Sequence, residues 1–267
     1  MGMNKDGAVF YTTENGEVAV FYPRGGQKTA NTYEESTNNQ ATNTQKVKSG
    51  HFQNIEMEAK LAKVTYNECG TLDSNIAEEE IINRLAGGDL TKGSCSSLAL
   101  SYIGNKAGVD VLDFRGGKSC DIFSLKKNVK EIAALDGVDG IVEKDYNDFK
   151  AVNKLLKHVE KNKEYYLATG KHAAIIRHSD EGWQYLEMQS ANLTENKFNK
   201  LTNEVLKKRF GCQQSHTVHR MKAVASNVLI DAEKLGNNAE FKQLLGYINT
   251  PKGEQMKGAK GHVKWFL

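Results

Sequence analysis

Residues 165–188 read Tyr165-Tyr166-Leu167-Ala168-Thr169-Gly170-Lys171-His172-Ala173-Ala174-Ile175-Ile176-Arg177-His178-Ser179-Asp180-Glu181-Gly182-Trp183-Gln184-Tyr185-Leu186-Glu187-Met188. Three β-rich runs stand out, Tyr165 to Ala168, His172 to Arg177 and Trp183 to Met188, the last two joined by the turn Ser179-Asp180-Glu181-Gly182. Runs of this length, so closely spaced, predict an antiparallel meander. Tyr165, Tyr166 and Trp183 are expected to serve its core.

Upstream the pattern is helical. Asp73 or Ser74 can cap a helix through Leu85, with Ile76, Ile81, Ile82 and Leu85 near one face and Gly87-Gly88 as a stop. A second helix is expected from Ser94 to about Lys106, then a short strand, Val109 to Phe114, and helices near 122–135 and 146–161. In the last of these Phe149, Val152, Leu155, Leu156 and Val159 keep the 3.6-residue period. Downstream, a helix at 203–210, a strand around His216 to Ala225 and a helix around 238–247 are expected. Helices first and a meander second predict an α+β architecture.

Residues 8–23 form two β-rich runs around Asn15-Gly16, a strong hairpin signal because a type I′ turn needs positive φ at both central positions. From Gly25 to Gly50 the chain is rich in Asn, Thr, Gln and Lys and almost without aliphatic residues. The expected organisation is therefore a hairpin element at 1–24, a polar linker at 25–50 and a globular, mixed α/β domain at 51–267.

Composition narrows the function. The 267 residues carry 36 Lys+Arg against 33 Asp+Glu, a formal charge of +3, so no strong field supports nucleic-acid binding. No apolar run approaches the ~18 residues that would cross a bilayer, and the N-terminus lacks the basic-then-apolar pattern of a signal peptide. Cys69, Cys95, Cys120 and Cys212 contain no CxxC pair, which argues against a zinc ribbon or a disulfide framework and suits a reducing compartment.

One cysteine is placed distinctively. In Lys92-Gly93-Ser94-Cys95-Ser96-Ser97-Leu98-Ala99-Leu100-Ser101-Tyr102-Ile103-Gly104, the residues Cys95, Leu98, Ala99, Tyr102 and Ile103 share one helical stripe, and the thiol opens it. Unpaired N–H groups and the positive end of the helix dipole favour a thiolate there, with thiol pKa values falling from ~8.5 to as low as ~3.5. The same amides can hold an oxyanion. Cys95 can also be read as a small apolar residue continuing the stripe, but its neighbours, Ser94 among them, leave room for a substrate. A nucleophilic thiol needs a base, and His172, opening a buried strand, is the candidate. Antiparallel return of the next run brings Glu187 or Gln189 toward its level, and either could orient the imidazole.

The segments Gly93-Ser94-Cys95-Ser96-Ser97-Leu98-Ala99, Gly170-Lys171-His172-Ala173-Ala174-Ile175-Ile176 and Tyr185-Leu186-Glu187-Met188-Gln189 resemble the papain-like cysteine hydrolase superfamily. Within it they are most similar to bacterial papain-fold toxin domains and YopT-type effector proteases. Residues 72–120 also resemble segments of phage head-morphogenesis-like proteins that carry C-terminal toxin domains. The resemblance implies a papain-like fold, with helices carrying the cysteine packed on an antiparallel sheet carrying the histidine. It makes Cys95 the nucleophile, His172 the general base and acid, and Glu187 the orienting residue, with Gln189 a rival. It further implies a toxin or effector thiol protease or glutamine deamidase with a protein substrate, no cofactor and an immunity protein as partner, exported by a specialised system into a reducing target-cell cytoplasm. Asp89 stands where papain has an oxyanion-hole glutamine six residues before the cysteine, and an ionised aspartate would repel the oxyanion.

Other motifs are weaker. Arg115-Gly116-Gly117-Lys118-Ser119 imitates a phosphate loop, but its first glycine would fall at Leu112. Arg115 and Gly116 are instead candidates for substrate contact. Cys212, His216 and His219 have metal-type spacing, yet on a strand the two histidines face opposite sides. Cys120, beside Asp121 at a helix start, is the second-choice thiol. The rival functions are a peptidoglycan amidase or endopeptidase, whose NlpC-type members share a Cys-Ser helix start, and a non-catalytic phage-derived structural or interaction module.

Overall fold

The computed structural model describes residues 2–3, 9–12, 18–21, 48–73, 76–86, 94–112, 118–190 and 192–250. The chain divides into two compact units, 1–50 and 51–267. In the first, strands β1 (Gly2–Met3), β2 (Val9–Thr12) and β3 (Val18–Phe21) form an antiparallel sheet in that order. Asn15-Gly16 and residues 22–47 lie outside the described residues. Helix α1 (Gly50–Leu61) starts on the last residue of the stretch read as linker, burying Phe52, Ile55 and Ala59.

The second unit is a mixed α+β structure around an antiparallel sheet. After α1 come β4 (Gly70–Thr71), α2 (Glu78–Leu85), α3 (Cys95–Lys106), β5 (Val109–Asp110), α4 (Lys118–Ser124), α5 (Lys126–Ala133), β6 (Ile141–Asp145) and α6 (Asp148–Leu155). Then follow β7 (Glu164–Thr169), β8 (His172–Ser179), β9 (Gly182–Leu186), β10 (Phe198–Lys200), α7 (Asn203–Lys208), β11 (Thr217–Val218), β12 (Met221–Lys222), β13 (Ala225–Asp231), α8 (Ala232–Asn237) and α9 (Ala239–Leu244). The six-stranded sheet runs β10-β9-β8-β7-β13-β6, every neighbour antiparallel. The meander is its centre, paired through Thr169↔His172 and Ile176↔Tyr185.

Alternation along the strands gives the sheet two buried faces. Tyr166, Ala173, Ile175, Leu186, Val228 and Ile230 share one core with Leu98, Ala99, Tyr102 and Ile103 of α3. Tyr165, Leu167, Ala174, Ile176, Tyr185 and Leu229 share the other with Val152 and Leu155 of α6, Leu206 of α7 and Phe210. Tyr165 and Tyr166 thus anchor opposite faces, whereas Trp183 is only partly buried and stacks on His178 with ring centroids 4.5 Å apart.

Several boundaries differ from expectation, each for a local reason. Helix α2 starts at Glu78 rather than at Asp73 or Ser74, since Gly70–Thr71 pairs with β5 first, and Glu78, Glu79 and Glu80 then supply the negative first turn. The helix expected at 122–135 is two helices, because Leu125 is extended (φ −63°, ψ 124°). Of the strand expected at 109–114, Val109–Asp110 is a strand and 111–112 is not, and residues 113–114 lie outside the described residues. At 216–225 the chain makes a two-residue hairpin, its turn residues His219 and Arg220 both at positive φ, and the long strand β13 begins only at Ala225. Helix α3 has no polar face: Ser96 through Asn105 are all buried, not the single stripe that periodicity indicates.

The turn before His172 is locked. Gly170 has φ +58°, Lys171 N–H donates to the Phe210 carbonyl at 2.7 Å, and a Cβ on Gly170 would run into that same carbonyl oxygen. Gly137 also has positive φ (+78°) but open space around it. Gly137→Ala is therefore expected to cost about 1 kcal/mol of stability and Gly170→Ala at least ~2 kcal/mol more, the backbone clash adding to the strain. Urea unfolding of both variants measures this; equal costs would show that the Phe210 contact does not demand the glycine.

Candidate active site

Cys95 opens α3, and the following residues explain why the helix starts there. The Ser94 carbonyl accepts from Leu98 N–H at 2.8 Å and from the Ser97 hydroxyl at 3.0 Å. Ser96 turns inward, donating to the Phe123 carbonyl at 2.5 Å and meeting the Tyr166 hydroxyl at 2.7 Å. These bonds tie the first turn of α3 to α4 and to β7. Cys95 is partly exposed, and the N–H groups of Ala173, Ser96 and Cys95 itself favour the charged form of its thiol.

His172 begins β8, on the face away from α3, its ring edge-on to Phe210 at 4.9 Å between centroids. Because it is the first residue of the strand, it still reaches the end of the sheet. Cys95 and His172 line one cavity of about 280 Å³, together with Ser96, Tyr166, Thr169, Lys171 and Ser226 among others. The structure therefore brings the two expected catalytic residues to one cavity.

Glu187 and Gln189 follow β9. Counted from Ile176↔Tyr185, Gln189 is level with His172, and Glu187 is two residues short of it. Glu187 is buried and held by Arg209, whose Nε donates to Oε2 at 2.5 Å and whose Nη2 donates to Oε1 at 2.7 Å. Oε1 also accepts from the N–H groups of Met188 and Gln189 at 3.1 and 2.8 Å. With both oxygens engaged, Glu187 acts on the histidine through its field. Gln189 accepts from Arg209 at 3.2 Å and donates to the Ser94 hydroxyl at 3.4 Å, closing a chain from Arg209 to the start of α3. Ser94, read as a substrate contact, is fully buried and faces Gln189. Arg115, Gly116 and Asp89 lie outside the described residues.

Burial governs the protonation states. It pushes the Cys95 thiol up from its ordinary value, overriding the amides and the Arg209 charge that pull it down. This reverses the thiolate expected from the helix position. Burial, reinforced by Arg209, drops His172 to about 4, with Glu187 opposing. Burial alone would raise the Glu187 carboxyl, but the Arg209 guanidinium holds it below the ordinary carboxylate range. At neutral pH the resting site is a neutral thiol and a neutral imidazole beside a buried, paired carboxylate.

Arg209 is the residue that sequence reading misses. It ends Lys207-Lys208-Arg209, a basic run at a helix C-terminus that reads as solvated, and only the return of α7 beneath β9 reveals its partner. The other thiols differ from Cys95. Cys120 is buried, 3.8 Å from the Ser97 hydroxyl, and Cys212 is buried beside Thr169, pushed up to about 11. Cys69 is partly exposed. His216 pairs with buried Asp148 at 2.7 Å, while His219 sits in the hairpin turn. Among the described residues no cluster of three or more His, Cys, Asp or Glu could hold a metal ion, and no helix is long and apolar enough to cross a membrane.

Two outcomes follow from this electrostatics. Arg209→Met should cost roughly 3 kcal/mol, the low end for breaking a buried pair because Arg209 retains about a third of its exposure, and adding Glu187→Leu should restore most of it. Thermal or urea unfolding of the single and double variants checks this. Alkylation of Cys95 by iodoacetamide should keep rising with pH beyond the ordinary thiol value of ~8.5; a plateau already reached near neutrality would reveal a preformed thiolate–imidazolium pair. No family model, curated protein or solved structure matches this chain.

Proposed function

We propose that the chain is a papain-like cysteine hydrolase that cleaves an amide bond of a protein target, as a toxin or effector would. The observation that carries this reading is the shared cavity of Cys95 and His172, with amides of Ala173, Ser96 and Cys95 gathered at the sulfur. The packing of the cysteine helix on the strand that the histidine begins supports it.

The chemistry starts from the neutral pair. As the sulfur attacks the carbonyl carbon, neutral His172 takes the thiol proton, the C–S bond forms, and the carbonyl electrons move to oxygen, which can accept hydrogen bonds from backbone N–H groups. The imidazolium so formed sits in the field of Glu187. It gives its proton to the leaving nitrogen as the C–N bond breaks, leaving a thioester on Cys95. Water then attacks the thioester as His172 accepts a proton from it; the C–S bond breaks, the acid leaves, and His172 returns the proton to the sulfur, restoring the thiol. Release of ammonia from a glutamine side chain and cleavage of a peptide bond both fit these steps.

A second reading, a non-catalytic interaction module, is favoured by one feature: a thiol raised and an imidazole lowered by burial are an unreactive pair at rest. Incubation of the protein with unfolded casein, glutamine-containing peptides and peptidoglycan, followed by mass spectrometry, separates the readings. Hydrolysis or deamidation should occur, fall by at least ~10³-fold in Cys95→Ala and His172→Ala, and persist in Cys69→Ala and Cys120→Ala. Wild-type inactivity on all three, or activity retained by Cys95→Ala, overturns the enzymatic reading, and action on peptidoglycan alone replaces the protein target with the cell wall.

A further inference from the structure

The cavity at Cys95 is asymmetric in charge. Among its described lining residues are two lysines, Lys126 at the start of α5 and Lys171 in the β7–β8 turn, and no carboxylate. Both lysines are exposed, and neither makes an ion pair among the described residues. Their neighbours elsewhere behave differently: Lys127 is paired with Glu58, and Lys163 with Glu160 at 2.8 Å. Behind the histidine, the Glu187 charge is already matched by Arg209. The remaining lining is apolar or hydroxylic: Val129, Ala168, Val228, Ser124, Thr169 and Ser226. A cationic group entering here would meet two like charges and no counter-ion. An anionic group would meet two cations that have given up no other partner for it.

We infer that this cavity selects a substrate with a carboxylate close to the amide under attack, held between Lys126 and Lys171. The inference rests on the cysteine hydrolase reading for the identity of the reacting bond, but the charge selection is a property of the cavity and can be tested without turnover. The carboxylate could belong to an acidic side chain or to a chain terminus, since both present the same two oxygens to an ammonium.

The thiol itself is the probe. The rate of Cys95 alkylation by iodoacetate, divided by that by iodoacetamide, should exceed the same ratio for N-acetylcysteinamide by roughly three- to tenfold at low salt, the effect of two solvated lysine charges on the cavity lining, and should shrink as salt is added. Dividing the two rates removes the thiolate fraction from the comparison. Lys126→Gln with Lys171→Gln should bring the ratio down to that of the small thiol, whereas Lys144→Gln on β6 should leave it as in the wild type. A wild-type ratio equal to that of the small thiol, a Cys95 that neither reagent reaches, or a raised ratio indifferent to the double lysine change overturns the inference. Peptides with glutamate beside the scissile amide and an amidated end, compared with neutral peptides ending in a free carboxylate, distinguish the two sources by which is hydrolysed faster. A raised, lysine-dependent ratio with hydrolysis of neither peptide upholds the anion-selective cavity and removes the hydrolase reading instead.

Discussion

A helix whose middle has no solvated face must be walled in on every side, and α3 is such a helix. Strands β7 and β8 close one side, and α2, α4, α8 and residues 245–247 close the others. Its composition permits this: serines, alanine and glycine let neighbours approach closely, and Gly104 leaves no room for a Cβ between Leu245 and Val111. Once the helix is enclosed, its N-terminus has one place to be, at the start of β8. The position of the Cys95 thiol relative to the sheet is thus a packing result before it is a chemical one.

Enclosure also explains the electrostatics. A helix end in water would stabilise a thiolate, but the same end pressed against a sheet loses more from desolvation than three amides and a guanidinium return. The histidine loses its charge for the same reason. What survives as an ion is the pair with the best geometry, Glu187 with the planar fork of Arg209. The matched charges of Glu187 and Arg209 act on the histidine, and Lys126 and Lys171 line the cavity.

The meander and the cysteine helix were legible because each is encoded locally. Gly170-Lys171 and Asp180-Glu181-Gly182 mark turns, and Ala173-Ala174-Ile175-Ile176 between them is the short continuous apolar run of a strand buried on both faces. What escaped depends on partners distant in sequence. Val228-Leu229-Ile230 is a plain apolar run that becomes a central strand only by inserting between β7 and β6. The all-round burial of α3 was hidden because Ser97, Ser101 and Asn105 read as a polar face; Asn105 in fact bonds the Ser101 and Val111 carbonyls. At the site, Cys95, His172 and the choice between Glu187 and Gln189 could be named from spacing. Arg209 could not, since nothing near residue 209 announces a carboxylate at 187, and Ser94 looked open only because small residues do.

The sheet order has a consequence for how the molecule is made. Strand β13 is next to last in the spatial order but last of the sheet strands in the chain, and until residues 225–231 leave the ribosome β7 has an open edge and β6 has no partner. Arg209 likewise arrives after the carboxylate it neutralises and well after the helix of Cys95. Before residues 225–231 are added the sheet is therefore incomplete, and the cavity of Cys95 and His172 lacks Ser226 and Val228. The pairing that completes the sheet joins segments far apart in sequence, 225–229 with 141–145 and 228–231 with 165–168, the non-local contacts that are costly to form.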